Sequence, residues 1–314
     1  MRSPRLAVLG GGNGAHAMAA DAALRGISVT MYEMPEYESN VEQVRESGVI
    51  EAEGSISGRA DIDRVTTDID AALDGADVVA VVVPAFAHAE YADLLAGRLD
   101  DDQLLVLFPG TFGSLEVRRL FDERGVHEDL IVAETDTLPY DTRLTDDGTV
   151  TFYDENPVNL GVLPADRTDE ALDRLEPYFE FGRVYDDVLE AGLSSVNPAL
   201  HSGACVINIG PIEYWADGDF YLYEQGFVPS AAKLDVRLDE ERKAVGESLD
   251  LSITSFEDFA DLDDDWEWSD LYREIHGHIG LTPIEGPNDV ENRYLTEDAP
   301  YGLVTWHSIA AELD

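Results

Sequence analysis

The pattern of apolar runs predicts an α/β domain on a doubly wound parallel sheet over residues 1–187, followed by an all-α domain over 188–314. Three observations carry that prediction. Nearly continuous apolar runs recur through the first half, as parallel strands covered on both faces require. Helical stretches fall between those runs, the alternation that βαβ units produce. Beyond about residue 187 the strand-like runs stop and long helical patterns take over.

Taken in order, "RLAVLG" (5–10) reads as a short buried strand and "NGAHAMAADAALRG" as an alanine-rich helix ending near Gly26. "ISVTMYE" (27–33) is a second strand. "ADVVAVVVP" (76–84), "QLLVLFPG" (103–110) and "DLIVAET" (129–135) are further buried strands, with helices expected around 88–96 and 114–123. Weaker strand signals at 149–153 and 159–163, the helix "DEALDRLEPYF" and a last strand near 183–185 complete the domain. In the second domain, "DVLEAGLSSVNPALHSGACVINIGPIEYW" and "PSAAKLDVRLDEERKAVGESL" are long helical patterns. Asn197 suits an N-cap and Pro198 the first helical position.

"LAVLGGGNGAHAMAA" places Gly10, Gly12 and Ala15 at G-x-G-x-x-A spacing, after a strand and opening a helix. The first glycine permits the tight turn and the second lets the backbone approach a pyrophosphate. The small third residue lets helix and strand pack closely. With Asn13 and Gly14, these residues form the phosphate loop of a Rossmann-type dinucleotide site, at a helix N-terminus that attracts anions. Glu33, ending the second strand, stands where a carboxylate bonds the adenosine ribose hydroxyls. Glu33, with Glu36 close by and no basic residue near in sequence, disfavours a 2′-phosphate, so NAD is expected over NADP. Pro84, Ala85 and Phe86 follow a strand at the end where open α/β sheets bind ligands, and are expected to line the cofactor. His16 is expected to touch nothing chemical, and His88 reads more simply as an exposed first-turn histidine than as a contact.

The charge is extreme: 66 acidic residues against 20 basic, a formal net charge of −46. The carboxylates are spread evenly among apolar periodicities, which excludes an acidic disordered tail. Nucleic acid is excluded as a partner, because phosphate backbones need Lys and Arg. No apolar run approaches the roughly 20 residues that span a bilayer, and the N-terminus lacks the h-region of a signal peptide. One cysteine, Cys205, forms no intrachain disulfide, and a cytoplasmic protein is expected. The sequence admits a homodimer. A salt-rich cytoplasm explains the charge best, since self-repulsion is screened there.

Hydride transfer to a carbonyl or imine needs a group that handles a proton. Only two lysines exist, Lys233 and Lys243, on what reads as a solvated helix face with Arg237. His201, near the start of an apolar helix, is the leading candidate, and such a histidine is commonly oriented by a carboxylate. At this point the whole chain, from about 5 to 310, resembles the NAD-dependent opine dehydrogenase family of octopine and nopaline dehydrogenases. "GGGNGAHAMAADAALRG", "YEMPEY", "AETDTLPYDTR", "NPALHSGACVINIG", "YEQGFVPSAAKLD" and "RYLTEDAPYGLV" look like that family's blocks, in its order.

The resemblance implies a Rossmann domain joined to an all-α domain with the active site between them. It implies reductive condensation of a 2-oxo acid with the amino group of an amino acid, using NADH or NADPH. The family's catalytic histidine falls on His201, its partner aspartate on Asp298, and an anion-binding arginine on Arg293. Arg143 and Asn197 are further substrate-side candidates, although Asn197 also suits a cap and Arg143 a surface position. The family usually has a small residue or cysteine where Asp141 stands. Asn208 faces either the site or the bundle interior, Cys205 reads as a small core residue, and Tyr301 and Gly302 shape the site through the backbone. His276 and His278 alternate like metal ligands, but no third ligand is evident and no metal is expected. Two alternatives stand beside this reading. One is a glycerol 3-phosphate, ketopantoate or hydroxy-acid dehydrogenase, families that typically use a lysine in this region. The other is a non-enzymatic NAD(H) sensor, which needs no acid/base pair.

If the charge is a salt adaptation, resistance to unfolding should rise steeply from low to molar KCl, where the screening length falls to about 3 Å. Denaturation curves across that range check this; unchanged stability would contradict it.

Overall fold

The computed structural model describes residues 3–215, 220–276 and 284–313. The chain divides into two compact units, Met1–Ala191 and Gly192–Asp314. Among the described residues no helix is long and apolar enough to cross a membrane.

Among its described residues the first unit contains twelve strands: β1 (Arg5–Leu9), β2 (Ser28–Tyr32), β3 (Val49–Gly54), β4 (Gly58–Asp61), β5 (Arg64–Thr66), β6 (Val78–Val81), β7 (Leu104–Leu107), β8 (Ile131–Thr135), β9 (Tyr140–Leu144), β10 (Thr149–Glu155), β11 (Val158–Leu163) and β12 (Phe181–Val184). Eight form one sheet in the order β12-β11-β8-β7-β6-β1-β2-β5. From β1 the chain builds outward through β2 and β5, then returns to add β6, β7 and β8 on the other side. The expected parallel sheet is therefore present, with its switch point between β1 and β6. β11 pairs antiparallel with β8, and β12 runs with β11, so these two oppose the rest.

Alternate residues of the central strands serve two cores. Leu6, Val8, Val29, Val78, Ala80 and Val106 face one, and Ala7, Leu9, Val79, Val81 and Leu105 the other. Continuous apolar strands follow from that two-sided burial. A second sheet, in the order β4-β3-β10-β9, was not expected from the sequence apart from β10. Its Ile50, Ala52, Val150 and Phe152 join the core that holds the helix Asn13–Leu24. A helix covered on several sides cannot be amphipathic, and this one buries Ala15, Ala17, Met18, Ala19, Ala20 and Ala22. Glu134, buried at the end of β8, accepts from the amides of Phe112 (3.0 Å) and Ser114 (2.9 Å) and so caps the helix Gly113–Arg124. Burial raises its carboxyl to about 7, against those hydrogen bonds.

Among the described residues the second unit has no strand. The helix Pro229–Ser248 packs against Asn197–Ile207, Trp268–Ile275 and Val304–Glu312. The sequence presents Pro229–Ser248 as a solvated amphipathic helix, yet its inward face carries Asp235, Asp239 and Arg242, all buried. Arg242 Nη1 donates to the carbonyls of Leu193 (2.7 Å) and Ser195 (3.3 Å), and Nη2 to Thr254 O (2.8 Å) and to Asp239. Its guanidinium lies 5.6 Å from the Trp306 ring centroid. Both terminal nitrogens are thus engaged, while the buried Nε has no hydrogen-bond partner among the described residues; removing one partner from such a buried ion pair costs about 3–5 kcal/mol.

Asp235 is different. It is fully buried against Gly203, neither carboxylate oxygen has a hydrogen-bond partner, and burial pushes its pKa up to about 9. The native state therefore holds a proton that the unfolded chain releases above about pH 4. Stability lost to this group grows as pH rises from about 4 to about 9 and then levels off. Asp235→Asn should leave stability at pH 3 nearly unchanged and raise it at pH 8 by roughly 2–5 kcal/mol. Chemical denaturation of both proteins across that range checks this; a difference independent of pH would contradict it.

Candidate active site

The glycine loop joins β1 to the helix Asn13–Leu24, beside the turn that follows β6. Gly10 has φ +123°, and a Cβ there would lie 2.5 Å from the carbonyl oxygen of Val82, so this position requires glycine. Gly12 is the helix N-cap, no side chain caps its amides, and open space lies where a Cβ would stand. Uncapped amides facing open space at a helix start suit an anion. Asn13 Oδ1 accepts from Leu144 N (3.1 Å), tying the loop to β9. Gly14 lies against Val82 and Leu138, and Ala15 is fully buried. His16 is buried, with Nδ1 3.1 Å from Gly12 O; burial lowers its pKa.

Glu33 lies directly beneath this loop, its Oε2 2.5 Å from where a Gly11 Cβ would be. Oε1 accepts from Met34 N (2.8 Å) and the Tyr91 hydroxyl (3.2 Å), and Oε2 from Asn40 Nδ2 (3.0 Å). A carboxylate has about four acceptor positions, so one remains for a ribose hydroxyl. Burial and then the carboxylates of Glu33, Glu36 and Asp68 raise the Tyr32 hydroxyl to about 12, opposed by Arg98. A cation invisible in the local sequence is thus near, although Arg98 is engaged by Asp70 (3.3 Å) and Leu94 O (2.7 Å). Pro84 is half-buried, Ala85 buried and Phe86 half-exposed, on the turn after β6. Together these residues fit a dinucleotide.

The expected exposure of His88 is wrong. It is 1% exposed, and burial depresses its pKa to about 4, because the first turn of its helix faces Gly113. Arg143 is half-buried on β9 and donates to Thr142 O (3.0 Å). Asp141 accepts from Asn156 Nδ2 (3.1 Å).

In the second unit, His201 lies within the helix Asn197–Ile207 and is 7% exposed. Asn197 begins that helix instead of capping it; Val196 is the N-cap, and no side chain caps this end. Nδ1 of His201 is 2.8 Å from Asp298 Oδ2, and Nε2 is 2.7 Å from the Tyr223 hydroxyl. A carboxylate only accepts, so Nδ1 of the neutral ring carries the proton and Nε2 is left as the acceptor. Tyr294 stacks on the imidazole at 4.0 Å and 19°, fixing its plane. Asp298 opens a π-helical turn, Asp298–Leu303, and Tyr223 lies in another, Leu222–Gly226. Wide turns of this kind are rare and concentrate at functional sites. A Cβ at Gly302 would be 2.3 Å from Pro198 Cγ, so glycine lets the first turn seat against the start of the His201 helix.

Arg293 Nε pairs with the buried Glu297 (3.1 Å), while the guanidinium side chain is 46% exposed. Burial works to lower its pKa, but the carboxylates of Glu297 and Asp298, with Tyr294 and Tyr223, outweigh it and raise it. A fixed cation thus sits beside His201's partners, open to an anion. Asn208 donates to Ala204 O (2.8 Å) and Gly226 O (2.7 Å), so it clamps the Tyr223 turn inside the bundle. Cys205 is buried, and burial then Asp298 and Asp235 push its thiol to about 12. Lys233 lies over Trp268 at 4.4 Å, in a groove of about 770 Å³ shared with Arg237, Lys243, Glu257 and Trp266. His278 lies outside the described residues. Sequence reasoning missed Tyr223, Tyr294 and Glu297, although all three stand in the quoted blocks.

Residues 184–314 match the model of the NAD/NADP octopine/nopaline dehydrogenase alpha-helical domain. The opine dehydrogenase of Arthrobacter sp. (strain 1C) is 32% identical over 307 residues, covering 97% of this chain and 84% of that protein. The chain belongs to the opine dehydrogenase family. The octopine dehydrogenase of Mizuhopecten yessoensis is 27% identical over 98% of this chain and 84% of its own. A solved octopine dehydrogenase structure with NADH and L-arginine matches 99% of this opine dehydrogenase homologue and 85% of that chain, with TM-score 0.69 and 24% identity.

Proposed function

We propose that the protein is an NAD-dependent opine-type dehydrogenase acting on CH–NH bonds, condensing a 2-oxo acid with an amino acid and reducing the resulting imine. The observation that carries this reading is the buried Asp298–His201 pair with Arg293 beside it. The family membership and the glycine loop above Glu33 support it. The dinucleotide supplies the hydride when bound. The uncapped amides after Gly12 hold its phosphates, and Glu33 holds the ribose and disfavours a 2′-phosphate. Arg293 takes a substrate carboxylate by its bidentate fork. His201 removes a proton from the incoming ammonium group, so that its nitrogen can attack the oxo carbon. The same histidine returns that proton to the hydroxyl that leaves as water when the imine forms. Asp298 holds the ring in the Nδ1–H tautomer and favours the imidazolium between those two steps. A lysine-based hydroxy-acid chemistry has no lysine at this position.

The test is NADH oxidation in molar KCl, scanned over pairs of 2-oxo acids and amino acids. Turnover should require both partners and favour NADH over NADPH. Oxidation with a single oxo acid would overturn the reading.

A further inference from the structure

His201 is enclosed. Asp298 holds Nδ1 at 2.8 Å, the Tyr223 hydroxyl holds Nε2 at 2.7 Å, and Tyr294 covers one face at 4.0 Å. The nitrogen that must exchange a proton with substrate is therefore already occupied. It is occupied by a group that can both give and take a proton, since a phenol has one O–H and two lone pairs. Tyr223 is itself only 5% exposed and rigidly placed: its turn is clamped through Gly226 O by Asn208 at the end of the His201 helix. The field of Arg293 reaches Tyr223 as well as Asp298.

We infer that Tyr223 is a proton-relay residue, and that protons pass between substrate and His201 through its hydroxyl. This rests on the dehydrogenase reading above. In the forward step the substrate ammonium N–H bond breaks and its proton goes to Tyr223 Oη. The Tyr223 O–H proton moves to His201 Nε2 in the same step. Tyr223 ends as a neutral phenol, the amine is neutral and His201 is an imidazolium paired with Asp298. The reverse relay delivers that proton to the departing hydroxyl, which leaves as water.

Tyr223→Phe keeps the ring and removes only the hydroxyl. With the best substrate pair, kcat should fall about 10- to 100-fold, with NADH affinity within about twofold. The dependence of kcat/KM on deuterium fraction should change from quadratic, two protons in flight, to linear. Turnover within about twofold of the parent, or an unchanged proton inventory, would overturn the relay. A readout independent of substrate uses the unmodified protein: ¹⁵N shifts of His201 should show a protonated Nδ1 and a hydrogen-bond-accepting Nε2. A protonated Nε2 in the neutral ring would mean that Tyr223 accepts, and the relay would fail. If NADH oxidation instead needs only an oxo acid, the opine reading falls. Tyr223→Phe must still slow that reaction if the relay is right.

Discussion

The hydrogen bond between Asp298 and His201 is the interaction on which the helical unit's chemistry depends. A buried neutral imidazole has one donor and one acceptor, and each ring nitrogen must find a partner or cost about 1–3 kcal/mol. Asp298 decides which nitrogen donates, and thereby which one can act as a base. The surrounding structure keeps that choice fixed. Gly302 against Pro198 brings the Asp298 turn to the helix, Tyr294 fixes the ring plane, and Glu297 holds Arg293 beside the pair without covering it. A histidine tautomer is thus specified by backbone approach and stacking as much as by the carboxylate itself.

The same unit contains a second class of buried ionisable groups, and their contrast is instructive. Arg242 and Asp239 are hydrogen-bonded to each other, to backbone carbonyls and to the Phe256 amide, and so lock the segments around 193–195 and 254–256 to the long helix. Asp235, on the same helix face, has no such partners and is held protonated by burial alone. Local hydrogen bonding, not the residue type, separates a structural ion pair from a stored proton. In a chain of net charge −46, where surface carboxylates repel one another, the few buried ones are the informative ones.

Much of the first unit was legible, because long apolar strands and the glycine loop are local signals. The strands that went unread, β3, β4, β5 and β9, lack a continuous apolar run: acids interrupt β3, β4 and β9, and β5 is only Arg64–Thr66. β3 and β10 pair across about a hundred residues (Glu51 with Thr149), a contact that no local period announces. His88 was misread because its burial depends on Gly113, well downstream. In the helical unit, the block pattern pointed to residues 201 and 298, which are hydrogen-bonded although 97 positions apart. Tyr223 escaped notice because a π-helical turn has no sequence period. The inward face of Pro229–Ser248 escaped because its charges are satisfied by distant carbonyls.

The most direct test of the account is Asp298→Asn, assayed for turnover and, separately, for NADH binding by fluorescence titration. An amide of the same shape can donate to the ring and no longer enforces the Nδ1–H tautomer. The account predicts kcat reduced by roughly 10²- to 10⁴-fold, with NADH affinity unchanged. Turnover within about twofold of the parent would contradict it, and would remove His201 and Asp298 from the centre of the chemistry.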